Sequence, residues 1–262
     1  MPMPATPLVA LVTGASRGIG TAIAARLAVR GVRVAVHYHA NRAAAEAVLA
    51  GLPGSGHALV QADLADASQT LALWDEVAAR VGPVDVVVNN AGVYLDHPPL
   101  TTNFAIWQEA WRQTLATNLI GPANLSLLAA QSMSARPEPR AGDFGRGRIV
   151  NVSSRGAFRG EPDAPAYGAS KGGLNALSQS LARAVAARAI YVYCVAPGWV
   201  ETEMATAHLA GPDGPAILAQ HPLGRVNRAN EVAGAVVYCA LDAPPAMTGG
   251  ILDVNGASYL RA

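Results

Sequence analysis

The sequence predicts a single α/β domain over residues 1–262: a doubly wound, seven-stranded parallel sheet with helices on both faces. Three observations predict it. Short β-branched runs alternate with Ala- and Leu-rich stretches of helical length almost from end to end. Runs such as Asp85-Val86-Val87-Val88 are apolar without alternation, as strands covered on both faces are. The composition, 51% hydrophobic and 14% charged, supplies enough apolar surface for a large core. Neither an internal repeat nor a linker of domain scale divides the chain.

Taken in order, the candidate strands are 8–13, 33–37, 58–61, 84–89, 148–153, 190–196 and 250–254, each a short run rich in Val, Ile or Leu. Between them lie candidate helices at 19–30, 43–52, 67–81, 104–133, 166–188 and 231–241. The stretch 136–147 is rich in Pro, Gly and Arg and precedes a strand. The N-terminal ends of parallel strands lie opposite the ligand edge, so a solvated loop without function is expected there.

A formal net charge of +1 gives no electrostatic reason to expect a nucleic acid or an anionic membrane as partner. Cys194 and Cys239 lie in apolar segments without metal-ligand spacing, which predicts two reduced core thiols in a cytoplasmic protein. The start, Met1 to Pro7, lacks a basic region, and the apolar run after it is too short for a signal peptide or a membrane span.

Thr13-Gly14-Ala15-Ser16-Arg17-Gly18-Ile19-Gly20 joins the first strand to the first helix. Glycines there permit a tight turn and close backbone approach to a pyrophosphate resting on the helix N-terminus. The spacing is a variant of the dinucleotide fingerprint, and it predicts cofactor contacts at Gly14, Ser16, Arg17, Gly18, Ile19 and Gly20. Sites preferring NAD place an acid near the end of the second strand, to bind the ribose diol. Here the chain reads Val36-His37-Tyr38-His39-Ala40-Asn41-Arg42, with no acid. Arg17 and Arg42 would pair with a 2′-phosphate, beside His39 and Asn41, so NADP(H) is the expected cofactor. The alternative is two arginines that merely face solvent.

Tyr167 and Lys171 stand four residues apart in Ala166-Tyr167-Gly168-Ala169-Ser170-Lys171, and on a helix they share a face. An ammonium beside a phenol favours the phenolate and is expected to lower the Tyr167 pKa toward neutrality. A phenol tuned in that way hands a proton to a developing alkoxide at working pH.

With these motifs in hand, the chain resembles the short-chain dehydrogenase/reductase family in its single-domain, Rossmann-type form, and within it the 3-oxoacyl-carrier-protein reductase type. Further motifs carry the resemblance in the family's order: Asp63-Leu64 after the third strand, Asn89-Asn90-Ala91-Gly92 at the fourth, Asn118 in the long helix, Ser154 thirteen residues before Tyr167, and Pro197-Gly198-Trp199-Val200-Glu201-Thr202 after the sixth strand. The resemblance implies hydride exchange between a nicotinamide and a carbonyl or alcohol carbon. It makes Tyr167 the proton donor, Lys171 its electrostatic partner and ribose ligand, Ser154 the holder of the substrate oxygen, and Asn118 the holder of a water. It adds cofactor contacts at Asp63, Leu64, Asn90, Ala91, Gly92, Pro197, Gly198, Val200 and Thr202. Thr202 is equally placed to cap the next helix, and Ser153 is the rival to Ser154. A substrate loop is implied at about 203–225, with Tyr94, His97, Phe158 and Trp199 as candidates for the same mouth; Trp199 reads equally as core. A homotetramer is implied as well, built on the helices at 104–133 and 166–188. The C-terminal segment departs from the family at Asn255 and Ala257, where many members have V-D-G-G. The reading is an NADPH-dependent ketone reductase. The alternatives are an NAD-linked alcohol or sugar dehydrogenase on the same scaffold, and a dinucleotide-binding regulator without catalysis.

Overall fold

The computed structural model describes residues 6–140 and 142–261; the reading of the first five residues lies outside them. Seven strands form one parallel sheet, in the order β3-β2-β1-β4-β5-β6-β7. They are β1 (Val9–Val12), β2 (Arg33–Tyr38), β3 (Ala58–Gln61), β4 (Val86–Asn89), β5 (Gly147–Val152), β6 (Ile190–Pro197) and β7 (Ile251–Val254). The predicted strands all form, with ends shifted by one or two residues. Strand direction from β1 runs outward to β2 and β3, then resumes at β4 on the other side of β1, so a crevice opens between β1 and β4.

The alternation of side chains along each strand sorts the core into two layers. Val12, Val36 and Val88 face one side, against Ile23 and Leu27 of α1 (Gly18–Val29) and Val232 and Val236 of α10 (Ala229–Val237). Leu11, Val87 and Ile149 face the other, against Leu73 and Val77 of α3 (Ala67–Arg80) and Leu125 and Met133 of α5 (Gly121–Ser134). All of these side chains are fully buried, and each contributes roughly 1.5–3 kcal/mol of transfer free energy. α2 (Arg42–Gly51) joins β2 to β3, and α7 (Pro165–Val185) packs beside β6.

Three elements differ from expectation. The helix expected at 104–133 is α4 (Phe104–Leu115) and α5 joined by a π turn, Ala116–Ile120. Pro122 has no N–H to continue the regular ladder, and the wider turn accommodates it. The loop expected at 203–225 contains α8 (Glu203–Ala210) and α9 (Gly214–Ala219), and a short α6 (Gly156–Arg159) follows β5. The 136–147 segment is exposed at 137–139 and 142–143, as a solvated loop would be, but it is anchored by two arginines. Arg136 and Arg140 donate to the fully buried Asp85 carboxylate at 2.7 and 3.0 Å, and that carboxylate also accepts the Val9 N–H at 2.9 Å. A buried charge needs such partners, and the loop supplies them. Both cysteines are buried and unpaired, as expected. Among the described residues no helix is long and apolar enough to cross a membrane, and no His, Cys, Asp and Glu group is arranged to hold a metal.

Candidate active site

A cavity of about 570 Å³ opens at the C-terminal ends of the strands, over the β1/β4 crevice. The turn after β1 forms its floor. Gly14 (φ +61°) adopts the left-handed region, and a Cβ there would come within 2.9 Å of the Ala91 Cα. Gly18 (φ +55°) faces Thr202, whose Cγ2 lies 3.1 Å from where a Cβ would stand. Arg17 is the N-cap of α1 and offers no side-chain cap, while Gly18, Ile19 and Gly20 line the cavity. The result is a bare backbone floor ending in an uncapped helix N-terminus. A dinucleotide pyrophosphate fits that arrangement.

Side chains fix the turn. Thr13 Oγ1 accepts the N–H groups of Asn90 and Ala91 at 2.9 and 3.0 Å, and Asn90 Nδ2 donates to the Thr13 carbonyl at 2.9 Å. His37 Nδ1 accepts the Gly14 N–H at 3.0 Å, and its Nε2 lies 3.1 Å from the Ala62 carbonyl. These partners require a neutral ring protonated on Nε2, and burial holds the pKa of His37 down at about 4. Sequence reasoning gave His37 no role; its only signal is a histidine inside an otherwise apolar strand.

Ser16, Arg17, His39, Asn41, Asp63, Leu64, Asn90, Ala91, Gly92, Pro197, Gly198, Val200 and Thr202 also line the cavity. The two arginines proposed for a 2′-phosphate are otherwise engaged. Arg17 pairs with Glu203 at 3.3 Å, both exposed. Arg42 pairs with Glu46 one turn along α2 at 2.8 Å and lies outside the cavity wall. Asn41 Oδ1 accepts the Ala44 N–H and so caps α2. Thr202 holds the N-cap position of α8 without a side-chain cap, and its hydroxyl donates to the Val200 carbonyl at 3.4 Å.

At the other end of the cavity, β5 delivers Ser154 and α7 delivers Tyr167 and Lys171. Ser154 Oγ accepts the Gly156 N–H at 3.0 Å, and its side chain acts to lower the Tyr167 pKa. The Ser153 hydroxyl instead donates to the Lys171 carbonyl, 3.3 Å away and against α7. Lys171, buried, donates from Nζ to the Val152 carbonyl at 2.9 Å and lies 5.7 Å from the Tyr167 ring centroid. The expected fall of the Tyr167 pKa does not occur. Burial pushes the phenol up to about 12, against the pull of Ser154, and burial also brings Lys171 down to about 8. Desolvation outweighs the attraction of an ammonium held at that distance.

Asn118 stands behind this wall, in the π turn. Its Nδ2 donates to the Val93 carbonyl at 2.9 Å and its Oδ1 accepts the Val93 N–H at 2.8 Å. It thereby clamps the segment following Gly92, where a Cβ would lie 3.6 Å from Lys171 Nζ.

Comparison with known proteins agrees with this geometry. The short chain dehydrogenase family matches residues 8–212. The chain belongs to that family. It is 37% identical over 252 residues to the 3-oxoacyl-[acyl-carrier-protein] reductase FabG of Escherichia coli strain K12, covering 96% of this chain and 97% of the relative. The Staphylococcus aureus strain Mu50 protein of the same name is 36% identical over 253 residues, covering 96% and 98%. The chain is therefore a short-chain oxidoreductase that uses a nicotinamide dinucleotide and acts on carbonyl or hydroxyl groups.

One wall of the cavity is aromatic. The Tyr94 ring lies 4.9 Å from that of Tyr167 and 5.5 Å from His208 of α8, which lies 5.4 Å from Trp199. Trp199 is thus a wall of the cavity rather than core. His97 and Phe158 are not. His97 is fully buried: Nδ1 lies 2.7 Å from the Leu95 carbonyl, and Nε2 accepts the Ala166 N–H at 3.1 Å, capping the first turn of α7. Phe158 stacks on Tyr259 under Arg261.

Proposed function

We propose that the protein is an NADPH-dependent carbonyl reductase in which Tyr167 is the proton donor. The observation that carries this reading is the gathering of Ser154, Tyr167 and Lys171 in the same cavity as the uncapped N-terminus of α1.

The bound dinucleotide supplies the hydride. Gly14, Ser16, Gly18, Ile19 and Gly20 hold its pyrophosphate, Asp63 and Leu64 its adenine, and Asn90, Ala91 and Gly92 the adjoining ribose. Pro197, Gly198, Val200 and Thr202 border the nicotinamide. Ser154 donates a hydrogen bond to the carbonyl oxygen and fixes its place. As negative charge develops on that oxygen, Tyr167 delivers its proton; a phenol held at about 12 stays in the donor form throughout the neutral range. Lys171, near 8, remains cationic at neutral pH and stabilises the charge left behind. Asn118 positions Gly92 and Val93 against this machinery. The loop of α8 and α9 closes the substrate side.

The lack of an acid at the end of β2 favours NADPH, with Arg17 released from Glu203 by a 2′-phosphate. The present pairing of Arg17 and the position of Arg42 outside the wall favour the second reading, an NAD-linked alcohol or sugar dehydrogenase on the same scaffold. A ketone panel that includes an acetoacetyl thioester, run with NADPH and NADH side by side, decides between them. The reading predicts faster turnover with NADPH; faster turnover with NADH would reverse the choice.

The proposal extends to a cytoplasmic homotetramer. Phe104, Ile106, Ile120 and Leu127 leave apolar surface exposed along α4, the π turn and α5, as expected of a face covered by a second copy. A stable monomer in light scattering would refute it.

A further inference from the structure

Glu161 stands in the cavity wall on the loop between α6 and α7, half-buried. Its carboxyl fills the place that a Cβ on Gly156 would take, and Gly156 is the residue whose N–H bonds Ser154 Oγ. Its backbone N lies 3.4 Å from where a Cβ on Gly168, the neighbour of Tyr167, would stand. The carboxyl therefore packs against Gly156, the partner of Ser154. Its charge is felt by both Tyr94 and Tyr167, and the charge of His208 is felt by it.

Among the described residues this carboxyl has no hydrogen-bonded or ion-paired side chain. The nearest cations, Arg155 and Arg159, both donate to Gln220 Oε1 instead, at 2.8 and 2.9 Å. Burial pushes the Glu161 carboxyl up, as it must where an ionised group has lost water and gained no partner. A half-buried carboxylate is stabilised by an occupant that brings the opposite charge. The rings of Tyr94 and Trp199, in the lining of the same cavity, present faces that also attract cations.

We propose that the cavity takes carbonyl compounds carrying an ammonium group, with Glu161 and the Tyr94 and Trp199 rings as the specificity-determining residues. This rests on the reductase reading above, and Ser154 and Tyr167 hold the carbonyl oxygen as described there. A carboxylate or phosphate placed against Glu161 would meet its repulsion.

The test compares kcat/KM for three ketones of matched shape, with the reduced cofactor in excess. They are the N,N-dimethylpiperidinium ketone, its carbon isostere dimethylcyclohexanone, and an oxocyclohexane carboxylate. The first has a permanent charge, so its preference does not depend on its own titration. The expected ranking is cation over neutral by about tenfold, with the anion poorest. In Glu161→Gln the ratio of cation to neutral falls close to one. Equal use of the cation and the neutral ketone by the unaltered protein would overturn the proposal, as would an unchanged ratio in Glu161→Gln. If that variant does not fold, the ranking by the unaltered protein decides alone. Turnover of the acetoacetyl thioester or other panel ketones but not of the cation overturns this inference and leaves the reductase reading intact. Silence toward every ketone overturns both.

Discussion

Lys171 shows how a functional group is kept at the expense of stability. It is 4% exposed and its single hydrogen-bond acceptor is the Val152 carbonyl, so the folded protein holds an ammonium largely stripped of water. Its pKa falls from 10.5 in the open chain to about 8 when folded. Between those values the unfolded chain binds a proton that the folded chain has lost, so the contribution to stability rises with pH across that window. Below about 8 the full desolvation cost is present. Lys171→Met is therefore expected to abolish reduction while stabilising the protein at neutral pH by up to about 3 kcal/mol. The gain should shrink as pH rises from about 8 to 10.5, where the folded parent is already neutral and the unfolded chain is losing its charge. Denaturant unfolding at the two pH values checks it, and a gain that does not change with pH would contradict it. The pair itself was legible as a spacing of four. The direction of its tuning was not, because the spacing says nothing of burial depth. His37 was hidden for a related reason, since its partners Gly14 and Ala62 lie 23 and 25 residues away.

Elements follow the same division. Strands announced themselves through uninterrupted apolar runs, since a covered parallel sheet needs no polar face. The join between α4 and α5 went unread, since one helix was expected over 104–133, and its consequence, a π turn that holds Asn118 against Val93, depends on a contact 25 residues back in the chain. The 136–147 segment was read as solvated from its place at the entry end of a strand; Asp85, just before β4, gives two of its arginines an anchor. The turn after β7 carries the departure seen in the sequence. Ala257 is held at φ +60°, and Asn255 Nδ2 bonds the Tyr259 carbonyl at 2.9 Å. A left-handed Ala costs roughly 1–2 kcal/mol, against roughly 0.5–1 kcal/mol for the greater freedom of Gly in the open chain. Ala257→Gly should thus raise stability by about 0.5–1 kcal/mol and Tm by about 1–2 °C, read by thermal unfolding. A lower Tm would show that the methyl group has a packing role exceeding the strain.

At the scale of the whole molecule, one strand order accounts for the site. The reversal at β1 and β4 opens a crevice, the turn after β1 floors it, and β5 and α7 bring Ser154, Tyr167 and Lys171 to its other end. Cofactor floor and hydroxyl pair are built by separate segments, so they should be separable by mutation. The measurement that tests this most directly pairs dinucleotide binding with single-turnover ketone reduction in three variants. Tyr167→Phe and Ser154→Ala are expected to keep the dinucleotide Kd within about twofold while lowering the rate by about a hundredfold or more. Ser153→Ala, whose hydroxyl faces the Lys171 carbonyl, should lose far less. Reduction by Tyr167→Phe at the parental rate, or equal losses at Ser153 and Ser154, would contradict the account.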